Sequence, residues 1–307
     1  MTAADGAATA PRLHSGQALA ALGVLTFSFT YPMTKIVLRG FSPIFAATGR
    51  AAAASFLALP VLLITSSQRP TRLQLRGLVF IVCGIVIGFP TLTAFALRHT
   101  ASAHGSVVNG LLPLATAGLA FFRVGERPSV KYWACSAIGF GAVVAYVVHT
   151  SGTALHMADL LLVLAVAGAA VGYTEGAILA RDLGGWQVIC WALVVAAPLT
   201  WGLAIADVVR HPIHASPGQW LAFAYTAFGS MFLGFFAWYG GLARAGIAKA
   251  GQLQLAQPAL SIAWGWPMLG EQLTIAAIVT IAVVFASVAI GRNATVNVVR
   301  GEPHHRP

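Results

Sequence analysis

The sequence predicts an all-α integral membrane protein with ten transmembrane helices, arranged as two inverted five-helix repeats. Three observations predict this fold: a very apolar composition, ten stretches long enough to cross a bilayer, and a segment that recurs after 145 residues. Of the 307 residues, 58% are hydrophobic and only 8% are charged, whereas about a quarter of an ordinary soluble domain is charged. So few ionic groups cannot cover a water-soluble surface, and the lipid bilayer is therefore a predicted partner.

The net charge of +10 does not indicate a nucleic-acid partner. The basic residues stand in short loops between apolar runs, where they set the orientation of a chain in the bilayer. The three cysteines fall inside apolar runs, and no pair of them has the spacing of a metal site. No sequence motif for a nucleotide, a metal or a hydrolytic centre is found, so we expect no cofactor, no metal and no enzyme activity.

A helix that crosses the hydrocarbon layer needs about 20 mainly apolar residues. Windows of this length predict ten spans, over 17–38, 43–65, 75–97, 102–122, 130–149, 158–180, 187–208, 218–242, 247–268 and 274–291. The runs are continuous and lack the alternation of a barrel wall, so no strands are expected. The predicted units are a disordered cytoplasmic tail at 1–16, five-helix repeats at 17–149 and 158–292, and a cytoplasmic tail at 293–307.

Lysine and arginine are distributed unequally between the two sides of the predicted membrane. With the amino terminus in the cytoplasm, thirteen lie in inside loops and tails and four at the outer ends of spans, while Arg50 lies within span 2. Loops rich in lysine and arginine remain in the cytoplasm. We therefore expect an inner-membrane protein with both termini cytoplasmic.

A fourteen-residue segment occurs twice. "PLATAGLAFFRVGE" covers 113–126 and "PALSIAWGWPMLGE" covers 258–271, so both ends are separated by 145 residues. Five spans is an odd number, and the second copy must then enter the bilayer in the opposite orientation. The surrounding charge agrees, because Arg123, Arg127 and Lys131 surround the first Gly-Glu, and no lysine or arginine stands between Lys249 and Arg292 around the second.

These residues resemble the EamA-type members of the drug/metabolite transporter superfamily. The matching stretches are "FTYPMTKIVLRGFSPIFAATGR" in spans 1 and 2, the two segments that end in Gly-Glu, and Ala158-Asp159 at the start of the second repeat. The resemblance covers about Gln17 to Arg292. It implies ten helices in two five-helix repeats and a transporter of small molecules.

The function that follows from the resemblance and the inverted repeats is secondary active transport by alternating access. We expect export of small metabolites, such as amino acids or related compounds, by a monomer or homodimer with a proton as a candidate coupling ion. Efflux of drugs or toxic compounds, and uptake of metabolites, are the alternatives within this class. A membrane-embedded enzyme and a non-transporting membrane subunit are more distant alternatives.

The Gly-Glu pairs are predicted to end one helix and begin the next. Glycine is favoured just after a helix ends, and a carboxylate before a helix satisfies free amide groups. Binding of a coupling ion by Glu126 or Glu271 is the functional alternative.

Two prolines are predicted to kink their helices. A proline inside a helix releases the carbonyl group four residues earlier, which is that of Asn109 for Pro113 and that of Gln254 for Pro258. Each repeat thus carries a side-chain amide at the released carbonyl, and Gln257 follows three residues after Gln254. These amides either line a cavity or hold neighbouring helices together.

Charged and aromatic side chains inside the spans complete the candidate site. Glu175 lies within an apolar run and is either a functional carboxylate or the partner of a basic residue at the inner end. A zwitterionic substrate could place its carboxylate against Arg50 and its ammonium group against Glu175. Aromatic residues within the spans either line the cavity or form interfacial belts; the candidates are Tyr31, Phe95, Tyr173, Trp238, Tyr239 and Trp264.

Overall fold

The computed structural model describes residues 3–151, 157–270, 272, 274–291 and 293–298, and these residues are mostly helical. The first half contains α1 to α8 with a π-helical segment, π1, and a short strand, β1. Their bounds are α1 Ala3–Ser28, α2 Thr30–Val37, α3 Pro43–Ile64, α4 Arg72–Ile81, π1 Val82–Gly88, α5 Phe89–His99, α6 Ser102–Asn109, α7 Leu112–Val124, β1 Glu126–Pro128 and α8 Val130–Ser151.

The second half repeats this order of helices, including a second π-helical segment, π2. Its bounds are α9 Met157–Asp182, α10 Gly185–Arg210, α11 Pro217–Ala224, π2 Tyr225–Gly234, α12 Phe235–Ala245, α13 Ile247–Gln254, α14 Ala256–Leu269, α15 Ile275–Gly291 and β2 Val296–Val298. Some predicted spans are therefore composed of two helices, or of helices joined by a π-helical segment.

Within the described residues, six helical segments are long and apolar enough to cross a membrane: Pro43–Ile64, Arg72–His99, Ser102–Val124, Met157–Asp182, Gly185–Arg210 and Pro217–Ala245. Two shorter apolar helices cover Val130–Tyr146 and Ile275–Gly291. The chain is thus a multi-pass membrane protein. The count of ten spans and the inversion of the repeats stay predictions.

Local sequence signals explain where several helices begin and end. Ser42 accepts a hydrogen bond from the backbone nitrogen of Phe45, and Pro43 occupies the first turn of α3. Thr71 and Gln74 form a reciprocal capping box at the start of α4. Gly125 ends α7 and Gly270 ends α14, with φ of 69° and 73°. Because glycine alone adopts this left-handed conformation without strain, the predicted helix ends at both glycines are confirmed.

The helix α1 begins at Ala3, and the division of the chain into tails and five-helix repeats stays a prediction. One feature differs from what the sequence predicts. No strand was expected, but β1 and β2 pair antiparallel, with Arg127 opposite Asn297. This correction concerns only loop residues next to the spans, where extended backbone needs hydrogen-bond partners.

Helices that correspond between the two repeats pack against each other and run antiparallel. A Cβ atom added at Gly139 of α8 would lie 3.5 Å from the Cβ atom of Ser287 on α15, and one added at Gly291 would lie 3.1 Å from the Cβ atom of Cys135. Residue numbers along α15 therefore fall as those along α8 rise. The same holds for α3 and α10, where Ser42 bonds Asp207 and Ser55 accepts a hydrogen bond from Trp201. The protein core therefore lies along the boundary between the repeats.

One close approach between the repeats involves two glycines. A side chain at Gly84 of π1 would collide with the backbone carbonyl oxygen of Gly168 on α9, and a Cβ atom at Gly168 would lie 3.5 Å from the Cα atom of Gly84. Small residues allow membrane helices to pack this closely, and van der Waals contact is a main source of their association.

We expect Gly84→Ala to destabilise the protein by about 1–3 kcal/mol, because the added methyl group must displace backbone and not a flexible side chain. Gly118→Ala is the matched control, since a Cβ atom there meets nothing within 4 Å and alanine is the better helix former. Thermal unfolding in detergent measures both. Equal melting temperatures for the two variants would contradict this account of the contact.

Candidate functional site

A cavity lies at the centre of the molecule, between the two repeats. Its walls come from α1, α2, α3, π1, α5, α6, α9, π2, α12 and α14, and consist of Phe27, Thr30, Tyr31, Arg50, Ile85, Phe89, Asn109, Tyr173, Ser230, Phe235 and Gln257. The structure thus brings together five residues predicted from the sequence, namely Tyr31, Arg50, Asn109, Tyr173 and Gln257.

The cavity is narrow in this conformation. Only about 20 Å³ is open to the centre of a water molecule, which is room for about one water. Even a small metabolite needs a larger cavity than this. A ligand can therefore occupy this place only when the surrounding helices move apart.

Arg50 gives the cavity its charge. Its side chain lies among the small residues of α3 and is only 5% exposed. Its electrostatic neighbours are Tyr31 and Tyr173, and its Nε atom has no hydrogen-bond partner in the described part of the chain. Burial of a cation without a carboxylate or full hydrogen bonding is unfavourable, so a ligand group that supplies these bonds would be attracted here.

Further polar atoms beside the cavity also lack partners among the described residues. They are the hydroxyl group of Tyr31 and the Oδ1 atom of Asn109. Native proteins leave few buried polar atoms unsatisfied. Their concentration around Arg50 marks this cavity as a polar site that a ligand or water would complete.

Aromatic rings form the apolar part of the wall. The ring of Phe27 lies 4.8 Å from that of Phe235, between ring centroids, and Phe235 lies 6.1 Å from Tyr173. Phe89 meets Tyr31 edge to face at 6.4 Å. These separations are those of favourable aromatic pairs, so one side of the cavity offers an apolar surface to a ligand.

Polar contacts join the repeats at the cavity wall. The hydroxyl groups of Thr30 and Ser230 are 2.8 Å apart. Gln257 accepts a hydrogen bond from Gln254 over 3.4 Å and donates one to the carbonyl oxygen of Phe27 over 3.5 Å. Gln257 thus lines the cavity and also contacts a neighbouring helix, whereas the buried Gln254 is not among the lining residues.

The helix breaks near the two prolines occur at equivalent positions. The helix α6 ends at Asn109, before Pro113, and α13 ends at Gln254, before Pro258. Side chains at these positions are buried. A buried amide side chain therefore stands at the point where each helix is interrupted.

Three predicted aromatic residues lie behind the cavity wall. Trp238 is fully buried and packs its ring 5.2 Å from Tyr173. Tyr239 donates a hydrogen bond to the carbonyl oxygen of Gly172 over 3.2 Å. Trp264 stacks on Phe29 at 4.4 Å and donates to the hydroxyl group of Ser28 over 2.9 Å. They support the wall and do not line it.

Phe95 lies apart from this cavity. Its side chain is 38% exposed and lines a surface pocket together with Arg39, Arg98 and Asp207. The structure therefore does not bring Phe95 to the other predicted residues.

Glu175 also lies outside the central cavity. Its Oε1 atom accepts hydrogen bonds from Arg123, over 2.8 Å from Nε and 2.5 Å from Nη2. It lines a separate pocket with Arg76 and Asp182. The arrangement in which a zwitterion bridges Arg50 and Glu175 is therefore not found, and the interpretation of Glu175 as the partner of a basic residue describes this conformation.

The Gly-Glu motif caps a helix other than the one expected. Glu126 is 3% exposed and accepts hydrogen bonds from the backbone nitrogen atoms of Ile247, over 3.0 Å, and Ala248, over 2.7 Å. These are the first amides of α13, in the opposite repeat, and Arg181 stands 3.9 Å away. The expectation that Glu126 caps the helix directly after it is wrong, because Glu126 is the first residue of β1 and α8 begins only at Val130. Glu271 lies outside the described residues.

Sequence reasoning missed the π-helical segments that flank the cavity. Ile85 and Phe89 contribute to the wall at π1, and Ser230 and Phe235 contribute at π2. A weak signal was available: "GIVIGF" at 84–89 and "GSMFLGF" at 229–235 begin 145 residues apart, and both start with glycine and end in Gly-Phe, although the second is one residue longer and their intervening residues differ. Segments of this kind occur frequently at functional sites.

No group of three or more histidine, cysteine, aspartate or glutamate side chains that could hold a metal ion is present among the described residues. The cavity lining within that part of the chain contains hydroxyl, amide and guanidinium groups with aromatic rings. This chemistry suits recognition of a small molecule by hydrogen bonds, one charge and apolar contact.

Comparison with protein families finds the same model twice along the chain. The model described as the EamA-like transporter family matches residues 14–148 and again residues 156–291. The two matches are the two repeats, and together they take up most of the 307 residues.

Individual proteins agree with the family match. The chain is 40% identical over 280 residues to the uncharacterized transporter YdeK of Bacillus subtilis (strain 168), covering 88% of this chain and 95% of that protein. It is 25% identical over 274 residues to the uncharacterized transporter YyaM of the same organism, covering 84% and 88%. A solved crystal structure matches the fold with a TM-score of 0.74 at 18% identity, covering 90% of this chain and 98% of the other.

We expect Glu126→Ala to lower the free energy of unfolding by about 1–3 kcal/mol, because two buried amides at the start of α13 lose a charged acceptor. Glu126→Gln keeps one acceptor oxygen and loses the charge, so its effect should be smaller. Thermal unfolding of the purified protein in detergent measures both changes. Asp182→Asn, at an exposed residue, is the control. If Asp182→Asn lowered the free energy of unfolding as much as Glu126→Ala, the effect of Glu126 could not be assigned to its cap on α13.

Proposed function

The chain belongs to the EamA-like transporter family, and on that premise we propose that it is a secondary active transporter that exports small metabolites across the inner membrane by alternating access. The observation that carries this proposal is the narrow central cavity, which both repeats build. A transporter that works in this way needs a site between its two repeats, which their relative movement exposes to one side of the membrane and then to the other.

The packing of the repeats supports an inverted relation between them. Corresponding helices, such as α8 and α15, pack antiparallel. Two equivalent helices that pack antiparallel are related by a twofold axis perpendicular to the helices. Because these helices cross the membrane, the axis lies in the membrane plane. Exchange of the roles of the two repeats then converts a site open to one side into a site open to the other.

The π-helical segments are the places where we expect the helices to bend. In π1 and π2 the regular hydrogen-bond ladder of the long span is interrupted, and bends in long helices occur where that ladder is broken. Both segments border the cavity. A change of bend there would open the cavity and leave the remaining packing of the spans intact.

The orientation of the chain in the membrane is inferred from its charge distribution. Thirteen lysine and arginine residues on one side against four on the other favour cytoplasmic termini in an inner membrane. Export is proposed on the implied function of the family. The described cavity lining contains no carboxylate, so a coupling proton, if it is used, would be carried elsewhere.

Cysteine labelling tests alternating access at the cavity. In a variant whose three native cysteines are replaced, Ser230→Cys should react with a membrane-impermeant thiol reagent applied from either face, because each face reaches the cavity in turn. Ala192→Cys, at a fully buried position in the core, is the control that should stay unlabelled. Reaction of position 230 from one face only, at every substrate concentration, would contradict the mechanism.

Transport itself is tested with the purified protein in liposomes. We expect exchange of at least one labelled metabolite in a counterflow assay over amino acids, organic acids, nucleosides and cationic dyes, with and without a pH gradient. Exchange must exceed that of protein-free liposomes. A folded protein without flux of any compound would favour a non-transporting membrane subunit.

We expect Glu175→Gln to keep the exchange rate within about threefold, because the carboxylate is engaged by Arg123 outside the cavity and partly exposed ion pairs contribute little. Arg123→Gln should have a similar effect, and the double variant should add nothing beyond either one. Loss of exchange, or loss of its response to a pH gradient, in Glu175→Gln alone would instead assign proton coupling to this residue.

A further inference from the structure

The central cavity has one cationic side chain and, among its described lining residues, no anionic one. From this asymmetry we propose that its substrate is a small organic anion, bound through a carboxylate against Arg50 with an apolar or aromatic body against the phenylalanine rings. The inference rests on the proposed function, in which this cavity is the transport site. It excludes cationic drugs as the main substrates.

Five of the eight acidic residues have described side chains, and each is located away from the cavity. Glu126 caps α13, Asp159 pairs with His104, Glu175 pairs with Arg123, Asp182 is exposed, and Asp207 contacts Ser42 and His211. The side chains of Asp5, Glu271 and Glu302 lie outside the described part of the chain. Within that part, no carboxylate is available to neutralise Arg50.

A ligand carboxylate satisfies what Arg50 lacks. The guanidinium group presents donors in a planar fork that matches the two oxygen atoms of a carboxylate. The Nε atom is buried without a partner, and the interaction with an anion is strongest where water is excluded. A cationic ligand would instead meet an uncompensated like charge in the same small space.

Neighbouring groups define the rest of the ligand. Tyr31 and Tyr173 flank Arg50, and the hydroxyl group of Tyr31, whose polar neighbour is the side chain of Thr93, is a further donor for a carboxylate oxygen. Phe27, Phe89 and Phe235 offer an apolar surface. The Oδ1 atom of Asn109 has no described partner and could accept a bond from an amino or hydroxyl substituent. The carboxylate is therefore the required group, and an ammonium group is dispensable.

The test uses four compounds with the same phenyl-alkyl body and different charges. They are 3-phenylpropionate, an anion; phenylalanine, a zwitterion; phenethylamine, a cation; and 3-phenylpropanamide, which is neutral. Binding is measured as the rise in melting temperature of the full-length protein in detergent, because a ligand that binds the folded state stabilises it. Exchange of labelled 3-phenylpropionate is measured in liposomes.

For the wild-type protein we expect stabilisation by 3-phenylpropionate and phenylalanine and none by phenethylamine. Arg50→Gln should weaken the affinity for both carboxylates by at least about tenfold and leave any weak response to the amide unchanged. The affinity of Arg50→Lys for the carboxylates should lie between those of the wild type and Arg50→Gln, because lysine keeps the positive charge but lacks the planar arrangement of donors that matches a carboxylate. Arg72→Gln, which removes one exposed positive charge at the start of α4, should behave as wild type.

The unliganded Arg50→Gln variant should melt no lower than the wild-type protein, because it removes an unpaired buried cation. This result separates a binding role from a structural one. A large loss of unliganded stability in Arg50→Gln, a wild-type response to phenethylamine, or no response to either carboxylate would each overturn the proposal.

The two measurements distinguish this inference from the proposed function. Arg50-dependent binding of carboxylates without exchange would refute transport and leave the anion site in place. Exchange that persists in Arg50→Gln, or exchange of cations only, would refute the anion site and leave transport in place.

Discussion

Free backbone amides and unpaired charges are unfavourable in a membrane protein. The structure depends on hydrogen bonds in which a buried polar group of one repeat finds its partner in the other repeat. Glu126 of the first repeat satisfies the first amides of α13 in the second. Thr30 bonds Ser230 across the same boundary. Polar groups of one half thus find hydrogen-bond partners in the other half, and these bonds hold the boundary between the halves, where the cavity lies.

Arg50 departs from this rule at one point. Glu126, Asp159, Glu175 and Asp207 have partners of their own, whereas this guanidinium group has tyrosine neighbours and an unsatisfied Nε atom. A protein keeps such a defect where function requires it, at a cost in stability. The defect lies where both repeats, the two π-helical segments and a cluster of aromatic rings meet.

The sequence was sufficient for features that depend on local chemistry. Glycine at 125 and 270 ends helices, and the amides at Asn109 and Gln254 stand where helices break, because these outcomes need only the neighbouring residues. The partners of Glu126 and Glu175 could not be predicted, since they lie 121 and 52 residues away and depend on how the spans pack. Five of the proposed cavity residues meet in one place, yet whether they bind a substrate depends on chemistry that no spacing encodes.

The cap on α13 also bears on biosynthesis. Glu126 is synthesised 121 residues before Ile247, so its carboxylate keeps its hydration until the second half has been made. The first half is therefore an unfinished intermediate, with a hydrated anion at its edge. Packing of the second half replaces this water with the two backbone amides at the start of α13, and the polypeptide link between the halves keeps the carboxylate and its donors in one molecule.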